Sequence, residues 1–450
     1  MDTTALFKAY DVRGTYPDQL DERTAAAMGS AFATFADHPR LVVARDMRVS
    51  SGPLAEAFAR GARACGVEVV DLGLASTDFA YFASGFLDLP AAMFTASHNP
   101  ARYNGVKFCL PGARAVGVDS GLKEIEALTV RFYDAPATGD PAPLTPLDLT
   151  NEWVTHVHAF VDVASLRPLR IVADAANGMG GFVAPLVFAG LPFEVEVLYP
   201  ELDGTFPHHP ADPLDPANLV DLRRRVLEVG ADIGLAFDGD ADRVFLIDER
   251  ARPVSGSTTT AMVAEAMLAR HPGATVLYNL ICSKAVPEVI AESGGVGVRT
   301  RVGHSYIKQV MAETGAVFGG EHSGHYYYRD NYRADSGIIT AFVVLELLSR
   351  SGGPLSALTK PFERYAASGE INTTVADPAA TVERVAARLG AEGVALDRLD
   401  GLTADYGAWW FNLRPSNTEP LLRLNLEAPD EASVAARVDE VSALIAEVDA

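Results

Sequence analysis

The amino-acid sequence predicts an α/β protein: three tandem mixed-sheet α/β domains of similar topology, then a smaller C-terminal α+β domain, around one central cleft. Three observations predict this fold. Strand-like apolar runs alternate with helical stretches such as 53–64 and 219–229, and the alternation occurs three times. After Lys360 and Pro361 the pattern changes to a strand, a helix, several strands and a final helix. The chain of 450 residues is long enough for about three domains.

Each of the three repeats contains three predicted strands, a loop and a returning strand. The returning strand should pair antiparallel with the third strand of an otherwise largely parallel sheet. Repetition at this length indicates tandem domains, because solenoid repeats are shorter. The opening strands are predicted at 41–45, 170–174 and 274–278, the second strands at 67–71, 193–197 and 296–300, the third strands from Ala91, Ile233 and Val317, and the returns at 106–108, 244–247 and 326–328.

The last domain and the domain limits follow from the same pattern. The C-terminal part is predicted to contain strands at 369–375, 408–413 and 421–427 and helices at 378–389 and 431–448. A Pro-rich segment, 135–148, separates the first two repeats, and 249–256 separates the second from the third. We therefore expect domains at 1–140, 149–250, 251–362 and 367–450.

Composition narrows the classes of partner. The net charge of −22 argues against nucleic-acid binding, which depends on basic surface. The three cysteines are scattered and not at metal-binding spacing, as expected of reduced thiols in a cytoplasmic protein. The N-terminus lacks the apolar core of a signal peptide, and no uncharged apolar run approaches the roughly 20 residues of a membrane span. We expect a soluble cytoplasmic protein that binds neither membrane nor nucleic acid.

Residues with reactive side chains fall in the loop after the third strand of each repeat. Ligands of open α/β sheets gather at the carboxyl ends of strands, so these loops are expected to converge. In the first repeat that loop is Thr95-Ala-Ser97-His98-Asn-Pro100, which places a hydroxyl nucleophile directly after an apolar run. A lone serine in a loop is usually only solvated.

The corresponding loop of the second repeat carries Asp238, Asp240 and Asp242, followed by Arg243. Two carboxylates about 4 Å apart repel by roughly 4 kcal/mol at an effective dielectric of 20, so three converging ones need a cation. Oxygen ligands favour Mg²⁺ or Ca²⁺. A calcium-binding EF-hand and a solvated acidic turn are the alternatives, but Arg243 stands where an EF-hand requires glycine, and strands flank the loop.

Two further loops have the composition of ligand sites. The third repeat offers Gly319-Gly-Glu321-His322-Ser323-Gly324-His325, whose glycines allow close backbone approach and whose Glu and Ser suit sugar hydroxyls. The last domain offers Arg414-Pro-Ser416-Asn417-Thr418, in which a guanidinium, hydroxyls and an amide suit a phosphate. A polar turn is the alternative interpretation of each.

Together, the serine loop and the triple-Asp loop resemble those of the α-D-phosphohexomutases, the phosphomannomutase/phosphoglucomutase family. The resemblance covers essentially the whole chain, including the four-part layout. It implies a phosphorylated Ser97 and a Mg²⁺ site formed by Ser97, Asp238, Asp240 and Asp242. It also implies that Arg13 and Lys107 flank the phosphoserine. We take Lys107 as the proton-transfer partner, and His98 as a residue that orients the loop.

The same resemblance implies a substrate site. Glu321 and Ser323 would bind two sugar hydroxyls, with His325 near the reacting hydroxyl, while the loop of Arg414 would hold the non-reacting phosphate. His304 resembles another cleft histidine, with a structural histidine as the alternative, and Lys284 resembles a phosphosugar contact only loosely. The implied catalytic residues are Ser97, Lys107, Arg13, His325 and His304, and the implied substrate-binding residues are Tyr10, Arg243, Lys284, Glu321, His322, Ser323, His325, Arg414, Ser416, Asn417 and Thr418.

These features lead us to expect a reversible phosphohexose mutase. The expected reaction interconverts mannose 6-phosphate and mannose 1-phosphate through an enzyme-bound hexose 1,6-bisphosphate, which also acts as activator. Glucose is the main alternative substrate, because the two sugars share the configuration of O3 and O4. Glucosamine is less favoured. A phosphoserine-forming phosphatase and a non-catalytic sugar-phosphate binder are the other classes considered. The partners are small-molecule hexose phosphates, and the protein is a monomer or a homodimer.

Overall fold

The computed structural model describes residues 3, 6–415 and 421–449. Its chain divides into two compact units. The first unit comprises residues up to 255 together with 303–319 and 323–358. The second comprises 256–302, 320–322 and the residues from 359 onward. Four sheets with their flanking helices account for most of the described chain.

The first sheet contains seven strands in the order β1-β5-β4-β2-β3-β7, with β6 paired to β5. Strands β2, β3, β4 and β7 run parallel, and β5 is antiparallel to both β4 and β1. Its elements are β1 (Val12–Thr15), α1 (Glu22–Ala36), β2 (Arg40–Arg45), α2 (Ser51–Ala64), β3 (Glu68–Leu74), α3 (Thr77–Leu87), β4 (Ala91–Phe94), β5 (Tyr103–Leu110), β6 (Arg114–Ala115), α4 (Lys123–Asp134) and β7 (Leu144–Pro146).

The second sheet has five strands in the order β12-β11-β10-β8-β9. Strand β8 is parallel to β9 and β10, and β11 returns antiparallel to β10. The strands and helices are α5 (Thr150–His158), β8 (Arg170–Asp174), α6 (Gly180–Phe188), β9 (Glu194–Leu198), α7 (Val220–Val229), β10 (Ile233–Phe237), β11 (Val244–Asp248) and β12 (Pro253–Val254). All five residues of β10 and all five of β11 are buried, which places the loop between them deep in the fold.

The third sheet has four strands in the order β14-β13-β15-β16. Its parallel pair β13–β14 matches the first two strands of the other repeats. The elements of this part are α8 (Gly256–Arg270), β13 (Thr275–Asn279), α9 (Ala285–Glu292), β14 (Val296–Thr300), α10 (His304–Thr314), β15 (Phe318–Gly320), β16 (Tyr326–Tyr328), α11 (Gly337–Ser351) and α12 (Leu355–Thr359).

The C-terminal sheet is antiparallel throughout, with five strands in the order β17-β21-β20-β19-β18. Two helices pack on it around a core of leucine, valine and aromatic side chains. The elements are β17 (Ala366–Thr374), α13 (Pro378–Ala391), β18 (Ala395–Asp397), β19 (Leu402–Asp405), β20 (Trp410–Pro415), β21 (Leu421–Ala428) and α14 (Glu431–Asp449).

One strand order recurs in the first three sheets. In each, the returning strand neighbours the third strand, the third neighbours the first, and the first neighbours the second, as β5-β4-β2-β3, β11-β10-β8-β9 and β16-β15-β13-β14. This order confirms the predicted fold class of three similar mixed α/β sheets followed by a smaller α+β sheet. Strands β1 and β7 were not predicted, and β7 lies within the Pro-rich segment at 135–148.

One finding concerns membranes. Among the described residues no single helix is long and apolar enough to span one, although the bent pair Gly337–Ser351 and Leu355–Phe362 passes that test by length and composition only.

Candidate active site

Ser97 lies in the loop after β4, in a constrained backbone conformation. Its φ angle is +49°, in the left-handed region that residues with a side chain rarely adopt. The Thr95 hydroxyl accepts the backbone N–H of Ser97 at 2.9 Å, which stabilises the turn. Such conformations persist only where the surrounding structure holds them, and they are concentrated at functional sites.

The Ser97 hydroxyl is joined to the acidic loop of the second sheet. Its Oγ donates a hydrogen bond of 2.6 Å to Oδ2 of Asp238. The His98 Nδ1 lies 3.3 Å from the same Oγ, which fits its predicted orienting role. Burial, followed by the charges of Arg243 and Arg13, holds the pKa of His98 well below its usual value, so this imidazole is neutral.

The acidic loop connects β10 to β11, and Asp238, Asp240 and Asp242 are fully buried. Arg243 donates to Asp238 twice, from its backbone N–H to Oδ1 at 3.1 Å and from Nε to Oδ2 at 3.0 Å. Lys107 Nζ lies 2.6 Å from Asp242 Oδ2 and 3.1 Å from Asp240 Oδ2. Strands flank the loop on both sides, as predicted, rather than the helices of an EF-hand.

The three carboxylates fit a metal ion. Each offers one oxygen, and these oxygens lie within 4.8 Å of one another. Asp240 Oδ1 and Asp242 Oδ1 are buried and have no hydrogen-bond partner within the described ranges, whereas Lys107 takes the Oδ2 atom of each. A buried carboxylate oxygen without a donor is unfavourable, and a cation would satisfy both oxygens.

Burial and charge set the protonation states of this cluster. Burial, with the neighbouring Asp242 and Asp240 charges, raises the pKa of Asp238 to about 7 against the opposing effect of Arg243. Burial alone would lower the pKa of Lys107, but Asp240 and Asp242 outweigh it and raise that pKa well above its usual value. Lys107 is therefore an ammonium ion.

His325 belongs to the same unit and reaches the acidic loop through Asp242. Its Nδ1 lies 3.0 Å from Asp335 Oδ2 and 3.8 Å from Asp242 Oδ1. Lys308 Nζ is 2.9 Å from the other oxygen of Asp335. Burial opposes protonation of His325, but Asp242 and Asp335 together raise its pKa above the usual value. The sequence did not predict a role for Asp335 or Lys308. Asp335 lies two residues before α11, and Lys308 lies within α10.

Arg13, Tyr10 and His304 also lie in the first unit. Arg13 Nε is 2.8 Å from Asp11, and its Nη1 approaches the Asn99 side chain of the serine loop at 3.5 Å. The rings of Tyr10 and His304 meet edge to face at 5.6 Å. Burial and then the charge of Lys308 hold the pKa of His304 well below its usual value, so it is neutral.

A further contact that the sequence did not predict is made by Arg48, which follows the carboxyl end of β2. Its Nη2 donates to the carbonyl oxygens of Ser97 at 2.8 Å and Asn99 at 2.6 Å. The position directly after a parallel strand was a usable signal, because such ends form ligand sites. Each bond, however, joins residues about fifty positions apart in sequence.

The predicted sugar-loop residues of the second unit have local partners. Buried Glu321 accepts a hydrogen bond from the Asn279 side chain at 3.2 Å. The His322 Nδ1 lies 2.9 Å from Ser257 Oγ, and burial lowers the pKa of this histidine. Ser323 falls in the first unit and is half-buried.

Only some of the predicted phosphate-binding residues of the second unit belong to the described part of the chain. Lys284 Nζ donates to Asp405 Oδ1 and to the Gly407 carbonyl, both at 2.7 Å. Among the described residues, Arg414 makes two loose ion pairs, at 3.7 Å to Asp400 and 3.9 Å to Glu370. Ser416, Asn417 and Thr418 lie outside the described residues.

Comparison with known proteins identifies the family. Models of phosphoglucomutase/phosphomannomutase domains I, II and III, all described as alpha/beta/alpha, match residues 4–131, 151–252 and 255–365, and the model of the C-terminal domain matches 370–444. Phosphohexose mutases from Xanthomonas campestris pv. campestris are 40% identical over 448 residues, which cover 98% of this chain and 99% of theirs. The chain belongs to the phosphoglucomutase/phosphomannomutase family.

Two further relatives of this family agree over the whole length. The phosphomannomutase of Salmonella montevideo is 38% identical over 455 residues, covering 99% of this chain and all of its own. The crystal structure of a phosphoglucomutase/phosphomannomutase family protein from Burkholderia thailandensis superposes with a TM-score of 0.90 at 31% identity, covering 100% of this chain and 98% of that one. As a phosphohexomutase, the protein is an isomerase that acts by intramolecular phosphotransfer.

Proposed function

We propose that the enzyme reversibly interconverts mannose 6-phosphate and mannose 1-phosphate through a phosphorylated Ser97 and an enzyme-bound hexose 1,6-bisphosphate. One observation carries this proposal: the Ser97 hydroxyl donates a 2.6 Å hydrogen bond to Asp238 of a buried triple-Asp loop. A serine nucleophile against a cation-binding carboxylate cluster is suited to accepting and returning a phosphoryl group. Added bisphosphate would serve as activator by phosphorylating Ser97.

We propose Mg²⁺ as the metal, held by Asp238, Asp240 and Asp242 together with Ser97. The oxygen-only donor set supports this choice over zinc, as do the Oδ1 atoms of Asp240 and Asp242, which accept no hydrogen bond from any described residue. When bound, the ion supplies charge stabilisation to the phosphoryl group in transfer. Lys107 and Arg243 already contribute positive charge to the loop, through ion pairs of 2.6 Å and 3.0 Å.

Lys107 is the proposed proton-transfer residue on the serine side. When phospho-Ser97 gives its phosphoryl group to the sugar hydroxyl, the bond from phosphorus to Oγ breaks and Oγ needs a proton. The Lys107 ammonium can supply that proton, and it takes the proton back when Ser97 is phosphorylated again. Arg13 and Arg243 add positive charge beside the serine loop, where the phosphoryl group carries its negative charge.

His325 is the proposed proton-transfer residue on the sugar side, assisted by His304. The sugar hydroxyl loses its proton as the new bond to phosphorus forms, and an imidazole near the Asp242 and Asp335 carboxylates can accept it. The remaining proposed roles concern binding. Tyr10, Lys284, Glu321, His322 and Ser323 are proposed sugar-side contacts, and Arg414, Ser416, Asn417 and Thr418 are proposed to hold the non-reacting phosphate.

Three broader assignments accompany the reaction. We propose domains at 1–140, 149–250, 251–362 and 367–450, which the positions of the four family-model matches support. The unpaired thiols of Cys65, Cys109 and Cys282 support a cytoplasmic location. We propose that the enzyme acts on small hexose phosphates, rather than on nucleic acid or at a membrane, as a monomer or a homodimer.

A substrate panel tests the sugar. The Salmonella relative is named a phosphomannomutase, whereas the Xanthomonas relatives carry the broader name of phosphohexose mutases. Mannose, glucose and glucosamine 1-phosphates are each supplied with Mg²⁺ and a trace of the matching 1,6-bisphosphate, and 6-phosphate formation is measured. We expect the highest kcat/KM with mannose 1-phosphate, lower turnover with glucose 1-phosphate and the least with glucosamine 1-phosphate. A clear preference for glucose would overturn the assignment of mannose.

A further inference from the structure

Arg48 donates four side-chain hydrogen bonds to backbone carbonyls of the serine loop and the start of β5, yet the proposed mechanism does not use it. Its side chain is fully buried. Nη2 donates to the carbonyl oxygens of Ser97 at 2.8 Å and Asn99 at 2.6 Å, and Nη1 donates to those of Pro100 and Tyr103, both at 3.0 Å. One guanidinium thus binds four carbonyls of the segment that carries the nucleophile.

This arrangement fixes the direction of the serine loop. The four carbonyls accept hydrogen bonds from Arg48, while the Ser97 side chain donates its own hydrogen bond to Asp238. Ser97 has a φ of +49°, so its conformation needs support from its surroundings. A lysine has the same charge, but its compact ammonium cannot present the planar fork that reaches four acceptors at once.

The Ser97 carbonyl also contacts the acidic loop between β10 and β11. Gly239, between Asp238 and Asp240, packs so closely that an added Cβ would lie 2.3 Å from the Ser97 oxygen. The same oxygen accepts the 2.8 Å bond from Arg48. The carbonyl is therefore held between the guanidinium on one side and the acidic loop on the other, and this sets the register of Ser97 against Asp238.

A long loop between β9 and α7 covers Arg48 from the other side. The Phe206 ring centroid lies 5.1 Å from the guanidinium carbon, and a Cβ on Gly204 would lie 2.5 Å from the Arg48 Cα. Asp46 balances the charge, with Oδ2 3.3 Å from Arg48 Nε. The guanidinium is thus shielded from water and has no route to an external anion, so it is suited to positioning the loop rather than to binding substrate.

We infer that Arg48 is a positioning residue for phosphoryl transfer: its guanidinium holds the Ser97 backbone in register with the acidic loop, so that Oγ meets the phosphoryl group in line. This inference rests on the proposed phosphoserine reaction. A misplacement of about 1 Å can slow an enzyme about 100-fold without weakening substrate binding. The effect of losing the guanidinium should therefore appear in the transfer rate and not in the affinity for sugar phosphate.

The test compares Arg48→Lys with a matched control, Arg63→Lys. Arg63 also donates from its guanidinium to a backbone carbonyl, that of Ala142 at 2.5 Å, but does so away from the serine loop. Single-turnover phosphorylation of Ser97 by glucose 1,6-bisphosphate is followed by intact mass, alongside KM, Mg²⁺ affinity and melting temperature. We expect Arg48→Lys to slow phosphorylation about 100-fold, with KM and Mg²⁺ affinity changed less than about threefold, while Arg63→Lys keeps the wild-type rate.

A second variant separates positioning from folding. Arg48→Ala leaves a space shaped for a guanidinium, so millimolar guanidinium chloride should restore part of the transfer rate, whereas methylammonium chloride should not. Rescue by guanidinium supports the inference. Two results overturn it. One is a folded Arg48→Lys that is phosphorylated at the wild-type rate, and the other is an Arg48→Ala whose transfer rate responds to guanidinium chloride no more than to methylammonium chloride. A wild-type enzyme that takes no phosphate on Ser97 overturns the proposed reaction itself, and this inference with it.

Discussion

At the scale of single residues, the site is a set of buried charges that a bound cation would bring into balance. Three carboxylates face Lys107 and Arg243, and the pKa of Asp238 rises to about 7 under burial and the charges of its neighbours. The Oδ1 atoms of Asp240 and Asp242 have no hydrogen-bond partner in the described part of the chain, and a divalent ion bound there would offset the repulsion between the carboxylates. Loss of one carboxylate should therefore affect the metal before it affects the sugar.

Asp240→Asn tests this order of effects. We expect a fall in kcat of at least about 100-fold with weaker Mg²⁺ binding and a KM within a few-fold of wild type, because transition-state charge is what the site stabilises. Titration calorimetry with Mg²⁺ and steady-state kinetics measure both. Asp248→Asn is the control, since Asp248 is equally buried at the end of β11 but binds Arg252 instead. A rise in KM alone would show that Asp240 does not serve the catalytic metal.

His209 offers a pH-dependent contribution to stability outside the site. Its Nδ1 faces the Pro210 carbonyl at 2.8 Å and its Nε2 faces Asp174 at 3.1 Å, so only the imidazolium can donate to both. Burial lowers its pKa, but the hydrogen bond and charge of Asp174 outweigh burial, and the net pKa is raised. Stability from this group is fully present below the unfolded pKa of about 6.5 and is lost as pH rises through the higher folded pKa.

His209→Gln should therefore destabilise the protein more at pH 5.5 than at pH 9. We expect the difference between the two pH values to be roughly 1 kcal/mol, the scale of a charged hydrogen bond in a partly solvated setting. Urea unfolding of both proteins at each pH measures it. In an Asp174→Asn background the difference should disappear. A stability gap that is constant with pH would show that His209 is neutral in the folded protein.

Candidate site residues were identified from the sequence where they stand close together in the chain. Asp238, Asp240 and Asp242 are alternate residues of one loop, and Ser97 lies within the recognisable segment 95–100, so both loops could be singled out without a structure. Arg48, Asp335 and Lys308 were not predicted, because their contacts join separate loops and helices and the resemblance was carried by other motifs. Lys284 was predicted to face a phosphosugar, but in the structure it binds Asp405. Its proposed role requires that ion pair to open.

At the scale of elements, the packing of α1 on α2 depends on two glycines. A Cβ on Gly29 would lie 2.0 Å from the Phe58 carbonyl oxygen, and one on Gly61 would lie 1.9 Å from that of Ala26. Each glycine thus lets the backbone of one helix touch the other. Glycine is disfavoured within a helix by about 1 kcal/mol relative to alanine, so these positions are retained for close approach rather than for helix formation.

Gly29→Ala should accordingly destabilise the protein although alanine is the better helix former. We expect a loss of at least about 2 kcal/mol, because backbone must move to admit the methyl group and the core tolerates little overpacking. Differential scanning calorimetry gives the melting temperatures. Gly52→Ala in α2 is the control, since its nearest neighbour, Arg45 Nε, is 3.9 Å from the added Cβ. Equal melting temperatures for Gly29→Ala and wild type would contradict this account of the packing.

Strand prediction depended on the strength of the local pattern. Most of the first three strands of each repeat are rich in apolar residues, and the structure contains them at or within a few residues of their predicted limits. Strands β1 and β7 were not predicted, because Val12–Thr15 contains an arginine and a glycine and Leu144–Pro146 has only three exposed residues. Both lie at the ends of the first sheet and owe their conformation to pairing with β5 and β3.

At the scale of the whole molecule, a protein with a net charge of −22 is proposed to bind an anionic sugar phosphate. The general field opposes that binding, so local cations must provide it. Arg414 is the proposed contact for the non-reacting phosphate, and its present ion pairs at 3.7 Å and 3.9 Å are long enough to be exchanged for a ligand.

Arg414→Ala should weaken binding in both directions of the reaction by roughly 1.5–3 kcal/mol, the contribution of a charge-assisted contact. The bisphosphate should also escape more often before it reorients, so turnover should depend more strongly on added bisphosphate. Phosphorylation of Ser97 by saturating bisphosphate should remain. Activity at several bisphosphate concentrations measures this. A normal KM with unchanged bisphosphate dependence would show that the distal phosphate is bound elsewhere.

The central claim is that Ser97 carries the phosphoryl group between the two ends of the sugar. The direct test is to phosphorylate the wild type and Ser97→Ala with ³²P-labelled glucose 1,6-bisphosphate, map the label by peptide mass, and chase with unlabelled mannose 6-phosphate. The account predicts label on Ser97 alone, none on Ser97→Ala, and complete transfer to mannose 1,6-bisphosphate without free phosphate. Label on another residue, or its release as inorganic phosphate during the chase, would contradict it.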